Sequence, residues 1–493
     1  MDSPILSSAQ MRASEEAALA RGVSVEALMD QAGAGVARAI RQFFPSPGKC
    51  IVFAGKGHNG GDALVAATWL KKAGWKIEVE LPFLEENCSE LTRKKLQSFR
   101  DEPEQPNRST SVRVVLDGLL GTGAKSFLRE PLRRAARDIN RLRRDENHFV
   151  FSVDLPSGLD ADSGETDPED AVVADFTATI GFAKHGLIVD SALDFVGRIE
   201  VVPLPDLPAE VSAPNELAAT PHALSALLPR RKFRSYKNQF GRIGVVAGSK
   251  GFVGAALMTT AGALRGGAGL VDVFVPDDIY EIVAGAAPVE AMVKPVRRYR
   301  DLLEESVDVW AVGPGLGTAR ASDILNLIEN AQQPMVVDAD GLNVLADKID
   351  VLRRCRGPRL LTPHPGEIQR LFDIGKMARA GIAKNFCEQY GVTLLFKGSR
   401  TIVSERGKAL SYNTTGNPGM STGGMGDVLT GVCAGLAGRK LSLYDTARIG
   451  AWACGRAAEI AIFNFGASEE SLLPTDVLAH LGNVFNELRT PAV

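Results

Sequence analysis

The stretch GNPGMSTGGMGDVLTG, residues 416 to 431, holds six glycines in sixteen positions and then continues as a helix-like run. Glycine admits backbone conformations closed to other residues and brings main-chain N–H groups close to a ligand. A helix opening at Asp427 points the positive end of its dipole back at that loop. Together these make an anion site, most often one for phosphate. A carboxylate beside it is placed to take a proton from a hydroxyl that attacks a phosphoryl group. The helix amides meanwhile hold the charge on the transferring oxygens. The plainer alternative is a glycine-rich turn between two packed elements.

Other segments of the second half offer similar chemistry. GSKGFVGAALMTTAGALRGGAG (248 to 269) sets glycines at a strand-to-helix junction, and VGPGLG (312 to 317) keeps backbone exposed at another strand end. TPHPGEIQRL (362 to 371) holds His364 between prolines, with Glu367 opening a helix. A lone histidine is usually structural, but one in a Pro-His-Pro turn at a strand end is as much a candidate for function. FKGSRT (396 to 401) offers Lys397 and backbone amides to a phosphate.

In the first half, GKGHNGGDALVAA (55 to 67) is neither the GxGxxG dinucleotide fingerprint nor a Walker loop, which requires GK[ST]. It is still glycine-rich at a helix start, with Asn59 and Asp62 available. DGLLGTGAK (117 to 125) and VDLPSGLDAD (153 to 162) follow two further strands, so Asn59, Asp117, Asp154 and Ser157 gather at one rim of a sheet. Hard oxygen ligands of this kind suit an alkali or alkaline-earth cation. Each residue alone reads more simply as a cap or turn former.

Elements that position these residues follow from hydrophobic runs. CIVFAG (50 to 55), KIEVEL (76 to 81), VRVVLDGL (112 to 119) and FVFSVDLP (149 to 156) have the look of buried parallel strands separated by helical stretches. RIGVVAGS, LVDVFVP, VDVWAVGPG, PMVVDAD, RLLTPH and VTLLFKGS repeat that pattern from residue 242 to 399. Both halves are therefore expected to be doubly wound α/β layers, with ligands beyond the carboxyl ends of the strands. At the N-terminus, Ser7 with Gln10 predicts a capping box, Gly22 a helix stop, and residues 25 to 44 a second helix. The proline-rich stretch from 203 to 221 reads as a linker, and DEPEQPNRSTS (101 to 111) as a surface loop. The two halves show no internal repeat of one another.

Composition limits the function classes. A chain of 493 residues, 45% hydrophobic and 23% charged, is expected to hold two or three soluble domains. A net charge of −3 carries no footprint for nucleic acid, and short basic clusters such as Arg230-Arg231-Lys232 read as solvated faces. No apolar run reaches a membrane span, and the N-terminus lacks the pattern of a secretory signal. Six cysteines scattered without CxxC spacing suggest reduced thiols in the cytoplasm.

NPGMSTGGMGDVLTG resembles the signature of the ADP- or ATP-dependent NAD(P)H-hydrate dehydratases, a branch of the ribokinase-like superfamily, and GSKGFVGAA, GPGLG, VDADGLN, TPHPGE and FKGSRT follow in that family's order. LMDQAG, GHNGGD, DGLLGTG and VDLPSG make the first half similar to the Rossmann-like YjeF-type NAD(P)H-hydrate epimerase domain. The resemblance implies an epimerase domain over residues 1–210, a linker region over 211–228 and a dehydratase domain over 229–493. It implies that the first domain interconverts the R and S forms of hydrated NADH or NADPH. The second restores the cofactor from the S form, spending ADP in most bacterial members and leaving AMP and phosphate.

Carried over by position, the epimerase substrate site falls on His58, Asn59, Gly60, Gly61 and Asp62, on Gly121, Thr122, Gly123, Ala124, Lys125, Ser126 and Phe127, and on Asp154 as the acid/base. K+ falls to Asn59, Asp117 and Ser157. In the dehydratase, Ala255, Gly317, His364 and Asp427 meet the hydrated cofactor, Asp427 being catalytic. Lys397, Gly398, Ser399, Arg400, Thr401 and Gly426 meet ADP with Mg2+. The resemblance also implies a cytoplasmic homo-oligomer, in one form a tetramer, whose partners are small molecules. Two rival readings share some motifs: a ribokinase-like vitamin-precursor kinase with a regulatory N-terminal domain, and a scaffold with a decayed site. The TPHPGE and NPGMSTGG pair speaks against the first, and intact Asn59, Asp62, Asp117 and Asp154 against the second.

Overall fold

The computed structural model describes residues 3–105, 111–123, 127–211 and 213–490. The chain divides into two units, one of Ser3–Pro214 and one beginning at Asn215.

In the first unit, the strands are β1 (Ser3–Leu6), β2 (Lys49–Ala54), β3 (Lys76–Glu80), β4 (Arg113–Gly118), β5 (Phe149–Val153), β6 (Phe176–Ile180), β7 (Ala183–Lys184) and β8 (Arg198–Val202). Six of them form one parallel sheet in the order β3-β2-β4-β5-β6-β8. The apolar runs of β4 and β5 are buried on both faces, which is why they read as continuous hydrophobic segments. β3 lies at the edge, and its lysine and glutamates are exposed as an edge strand requires. β1 pairs with β7, setting Leu6 opposite Lys184. The chain leaves β2 for β3 on one side and returns to β4 on the other, so a topological switch lies between β2 and β4. Helix Val25–Phe43 starts where the Ser24 side chain accepts from the Ala27 amide. Its Phe43 packs 4.4 Å from Phe176, which stacks on Phe151 at 4.3 Å. The Ser7–Gln10 capping box forms, and Gly22 follows the first helix at φ +90°. Residues 106 to 110 of the expected surface loop lie outside the described residues.

In the second unit, the strands are β9 (Glu216–Ala219), β10 (Arg242–Val246), β11 (Leu270–Pro276), β12 (Met292–Val296), β13 (Val309–Val312), β14 (Met335–Val337), β15 (Arg359–Leu361), β16 (Thr393–Phe396), β17 (Ile402–Ser404) and β18 (Leu410–Asn413). They run β12-β11-β10-β13-β14-β15-β16-β17-β18-β9, parallel except where β17 pairs antiparallel with β16 and β18. Here the switch lies between β10 and β13.

β9 corrects the reading of residues 203 to 221 as linker throughout. Glu216–Ala219 pairs parallel with β18 and is followed by a helix at Pro221–Ser225 capped by Thr220. Leu217, Ala218 and Ala219 are buried. The four-residue strand was masked by the prolines around it.

Two helices meet at backbone contact. Helix Val253–Arg265 and helix Met425–Ala437 pack so closely that a Cβ on Gly431 would stand 2.0 Å from the Thr259 carbonyl oxygen. One on Gly262 would stand 2.5 Å from that of Val428. Part of the glycine content of the 416–431 stretch is therefore spent on helix packing, and part on the helix entrance, where Gly424 has φ +93°.

Two candidate active sites at strand ends

In the first unit, the turn after β2 folds back tightly: a Cβ on Gly60 would lie 1.9 Å from the Gly55 carbonyl oxygen. That compaction starts helix His58–Lys72 directly at the switch point. Gly60 and Gly61 are buried, with Gly61 turned against Met29, whereas His58 is exposed. Asn59 donates from Nδ2 to the Leu120 carbonyl at 2.8 Å, joining the β2 turn to the β4 turn. Gly121 then faces Asn59 and Asp154 together, since a Cβ there would stand 3.2 Å from Asn59 Oδ1 and 3.3 Å from Asp154 Oδ2. Asn59, Gly121 and Asp154 thus share one cradle that only a glycine leaves open. Thr122 is half-buried, Gly123 is exposed and Phe127 is 74% exposed, while Ala124, Lys125 and Ser126 lie outside the described residues.

Asp154 has φ +68°, a conformation that costs a non-glycine residue of order 1–3 kcal/mol and persists where the surroundings enforce it. What enforces it is a set of donors on one oxygen. Oδ1 accepts from the Ile180 amide at 3.1 Å and pairs with the Lys184 ammonium. Lys184 is fully buried and also donates to Ile180 O at 2.9 Å and Thr179 Oγ1 at 3.1 Å. The Oδ1 side is anchored, and Oδ2 is presented to the cradle. Lys184 went unnoticed in the sequence, where nothing marks AKHG as chemistry-bearing. Burial first, and then the charge of Asp154, pushes the carboxyls of Asp62 and Glu15 up.

Asp117 and Ser157 meet directly. The fully buried Asp117 carboxylate accepts from Ser157 Oγ at 2.7 Å, Ser157 N at 2.9 Å, Ser152 Oγ at 2.9 Å and Leu119 N at 3.2 Å. Ser157 Oγ in turn accepts from the Leu120 amide at 3.1 Å. Among the described residues no basic side chain pairs with Asp117, and burial raises its pKa against the pull of these hydrogen bonds.

In the second unit, the carboxyl ends of β10, β13, β14, β15 and β16 converge. Gly248 N donates to Pro314 O at 2.8 Å, and Ser249 Oγ to Gly315 O at 2.7 Å, locking the GSKG turn onto GPGLG. Half-buried Ala255 lies against Gly315, whose Cβ would stand 2.8 Å from its own. Gly317 N donates to Asp340 Oδ2 at 2.8 Å.

Between them, Asp338 ends β14 and is buried. Its Oδ1 accepts from Lys397 Nζ at 2.7 Å and its Oδ2 from Thr430 Oγ1 at 2.8 Å. Ala339 follows at φ +49°, a second strained non-glycine residue at a site. A Cβ on Gly426 would stand 3.4 Å from both Asp338 Oδ2 and Lys397 Nζ, so the helix entrance is open over this pair. Asp427, in the first turn of helix Met425–Ala437, is pushed up to about 6 by burial and then by the charge of Asp338, with Lys397 opposing. A carboxyl at that value beside an anion-binding helix end is suited to general-base work.

The remaining residues divide by burial. Gly398 and Ser399 are exposed, while Arg400 and Thr401 are buried and support the loop. Arg379 clamps it by donating to the carbonyls of Lys397 and Arg400, each at 3.1 Å. His364 is exposed, and its Nδ1 caps helix Pro365–Leu371 by accepting from Gly366 N at 3.0 Å and Glu367 N at 3.3 Å. That leaves Nε2 as its donor. Asp338 lay inside the quoted VDADGLN without a role assigned, and the contact that gives it one spans 59 residues.

Two open α/β sheets, each with carboxylates and glycine turns at its switch point, define an enzyme of nucleotide chemistry. Residues 25–186 match the family described as YjeF-related protein N-terminus, and residues 243–481 the family described as NAD(P)H-hydrate dehydratase. The chain is 34% identical to the bifunctional NAD(P)H-hydrate repair enzyme Nnr of Moorella thermoacetica, over 94% of this chain and 92% of that one. It is 34% identical to the Escherichia coli enzyme of the same name, over 96% and 92%. A solved structure, the ADP/ATP-dependent NAD(P)H-hydrate dehydratase of Bacillus subtilis co-crystallised with ATP and Mg2+, is 26% identical with a TM-score of 0.48, covering 55% of this chain and 97% of that one. The chain belongs to the family of bifunctional NAD(P)H-hydrate repair enzymes, an epimerase unit followed by a dehydratase unit. The kinase and scaffold readings give way to relatives that match both halves at once.

Proposed function

We propose that the second unit removes water from the S form of hydrated NAD(P)H by passing phosphate from ADP to the ring hydroxyl. Asp427 takes the hydroxyl proton as its oxygen attacks the β-phosphorus, and AMP leaves. The ring phosphate then departs as the neighbouring carbon gives up a proton, restoring the reduced nicotinamide. Lys397, oriented by Asp338, offsets the charge on the transferring oxygens, with the helix amides near Gly426. Lys397 to Thr401 and Gly426 hold the nucleotide. Ala255, Gly317 and His364 meet the hydrated cofactor. Mg2+ arriving on the nucleotide would neutralise phosphate charge when bound; among the described residues no group of three or more acidic, histidine or cysteine side chains is placed to hold a metal by itself, so the nucleotide phosphates would supply most of its ligands. The entrance of helix Met425–Ala437, with Asp427 in its first turn and Gly426 open over the Lys397–Asp338 pair, carries this reading.

In the first unit, Asp154 presents Oδ2 to the substrate as the acid/base of inversion at the hydroxyl-bearing carbon, moving the proton on oxygen as it leaves and is re-added on the other face, while Lys184 fixes Oδ1. The substrate lies along His58 to Asp62 and Gly121 to Phe127. Asn59, Asp117 and Ser157 fit K+ in donor chemistry, all three offering oxygen. The unpaired buried Asp117 supports a cation, and a single anionic ligand favours a monovalent one. K+, when bound, would order the Leu119–Gly121 turn beside Asp154. The protein works in the cytoplasm as a homo-oligomer on small molecules, without nucleic acid or membrane. Six free cysteines support a reducing compartment, and no helix among the described residues is long and apolar enough to cross a membrane.

The test is to incubate the protein with mixed epimers of hydrated NADH and ADP, or ATP in parallel, following reduced-nicotinamide absorbance. Complete recovery from both epimers with one AMP and one phosphate per turnover is expected with ADP. A stable phosphorylated product, or recovery of only the S fraction, would overturn one half of the reading each.

A further inference from the structure

Arg230 and Arg231 are exposed, as a solvated face requires, and they also border a pocket. A cavity of about 510 Å³ is lined by Arg230, Arg231, Asn486, Arg489 and Thr490. Arg439 adjoins it, donating to the Pro229 carbonyl at 3.1 Å. Arg231 is held in place twice, by a hydrogen bond to Gly267 O at 2.8 Å and by stacking 3.7 Å over the Phe240 ring. Arg489 Nε is buried without a partner. Among the described residues, no carboxylate pairs with any of these four arginines. By contrast, the buried Arg456 pairs with Glu459 and Glu487, Arg448 with Asp445, and Arg359 donates to carbonyl oxygens.

Like charges held together without counter-charge repel, and partial desolvation plus the neighbouring guanidinium charges pull the pKa values of Arg231 and Arg439 down. Segments from three separate parts of the chain converge on this arrangement, and two of the four side chains are immobilised before any ligand arrives. Arg439 follows the C-terminal end of helix Met425–Ala437, whose first turn carries Asp427. Thirteen helical residues span about 20 Å, so this cavity is distinct from the nucleotide site.

We propose that the cavity is a second anion site, for a short oligophosphate of two or three linked phosphoryl groups. Guanidinium forks match phosphate oxygens in pairs. A concave pocket lined by three guanidinium groups, with Arg439 beside it, suits compact charge of −3 or −4 better than a single phosphate or an extended acidic peptide. The proposal is independent of the assignment of Asp427 and Lys397.

Calorimetric titration of the full chain with sodium tripolyphosphate, at low salt and with ADP saturating, tests it. Saturable binding is expected in the wild type and in Lys397→Ala, weakened at least tenfold in Arg231→Ala/Arg489→Ala. Relief of repulsion should also raise the melting temperature of that double variant, and tripolyphosphate should stabilise only the proteins that keep the arginines. The proposal fails if wild type shows no saturable binding, if the double variant binds equally well, or if Lys397→Ala removes the binding. A double variant that melts lower than wild type, or triglutamate competing as well as tripolyphosphate, would equally overturn it.

Discussion

Lys397 Nζ and Asp338 Oδ1 lie 2.7 Å apart across 59 residues of chain, ending two neighbouring-but-one strands of the second sheet. Asp338 is all but buried and Lys397 keeps 20% of its side-chain exposure. Breaking a fully buried pair costs about 3–5 kcal/mol. The exposure of Lys397, and Glu367 at 3.7 Å, reduce this to roughly 1–3 kcal/mol for Asp338→Asn. Urea unfolding should show that loss at constant slope, and dehydration should fall at least tenfold. Unchanged stability together with unchanged affinity for ADP would mean the pair is idle.

The pH dependence of Asp427 has a definite sign. Its folded-state value of about 6 lies above the unfolded carboxyl value near 3.9. The native state therefore binds the proton more tightly, and stability is lost as pH rises through about 6. Asp427→Asn should raise the melting temperature at pH 8, with the gain shrinking toward pH 4.5. Catalysis runs the opposite way: kcat/KM for dehydration should rise through about pH 6, since the base must be ionised.

Asp427→Ala should abolish dehydration and leave epimerisation intact. A variant that still restores NADH from the S epimer near the wild-type rate would remove Asp427 from the mechanism.

Lys184→Met takes the buried ammonium away from Asp154. Without that anchor Oδ1 loses its fixed position, so epimerisation should fall at least tenfold with dehydration unaffected, and Lys184→Arg, which keeps a cation there, should recover part of the rate. Equal epimerisation rates in Lys184→Met and wild type would make Lys184 a packing residue only.

What the sequence made legible was what repeats locally. Strands β4, β5 and β11 stood out because both faces are buried, so nearly every residue is apolar. FTATI, RIEVV, IVS and ELAA did not, being three to five residues long with polar side chains that long-range pairing satisfies. Glycine turns point to Asn59, Gly121 and Asp154, which share one cradle, whereas nothing local assigns a role to Lys184 or Asp338. Their function depends on contacts 30 and 59 residues away, and no local pattern encodes a contact of that span.

For the cation, melting temperatures in KCl, NaCl and choline chloride give a reading apart from activity. A stabilisation specific to KCl, absent in Asp117→Asn, is expected, with a raised requirement for substrate in epimerisation by Asp117→Ala. Equal melting in all three salts would sink the assignment.

Cutting the chain after Pro214 should yield an epimerase fragment and a dehydratase fragment. Cutting after Ala219 should spoil the second, because β9 then loses its place beside β18. Equal behaviour of the two cuts would show that β9 is dispensable.

The backbone contact of Gly431 with Thr259 and of Gly262 with Val428 has a mechanical consequence. A pair of helices meeting without intervening side chains has no soft layer along which to slide. The helix that presents Gly426 and Asp427 and the helix that follows the GSKG turn therefore move as one body. Any closure over ADP and hydrated cofactor falls to the exposed Gly398–Ser399 tip and the exposed 250–252 turn, and a bulky residue at position 431 should slow turnover by misaligning both helix ends together.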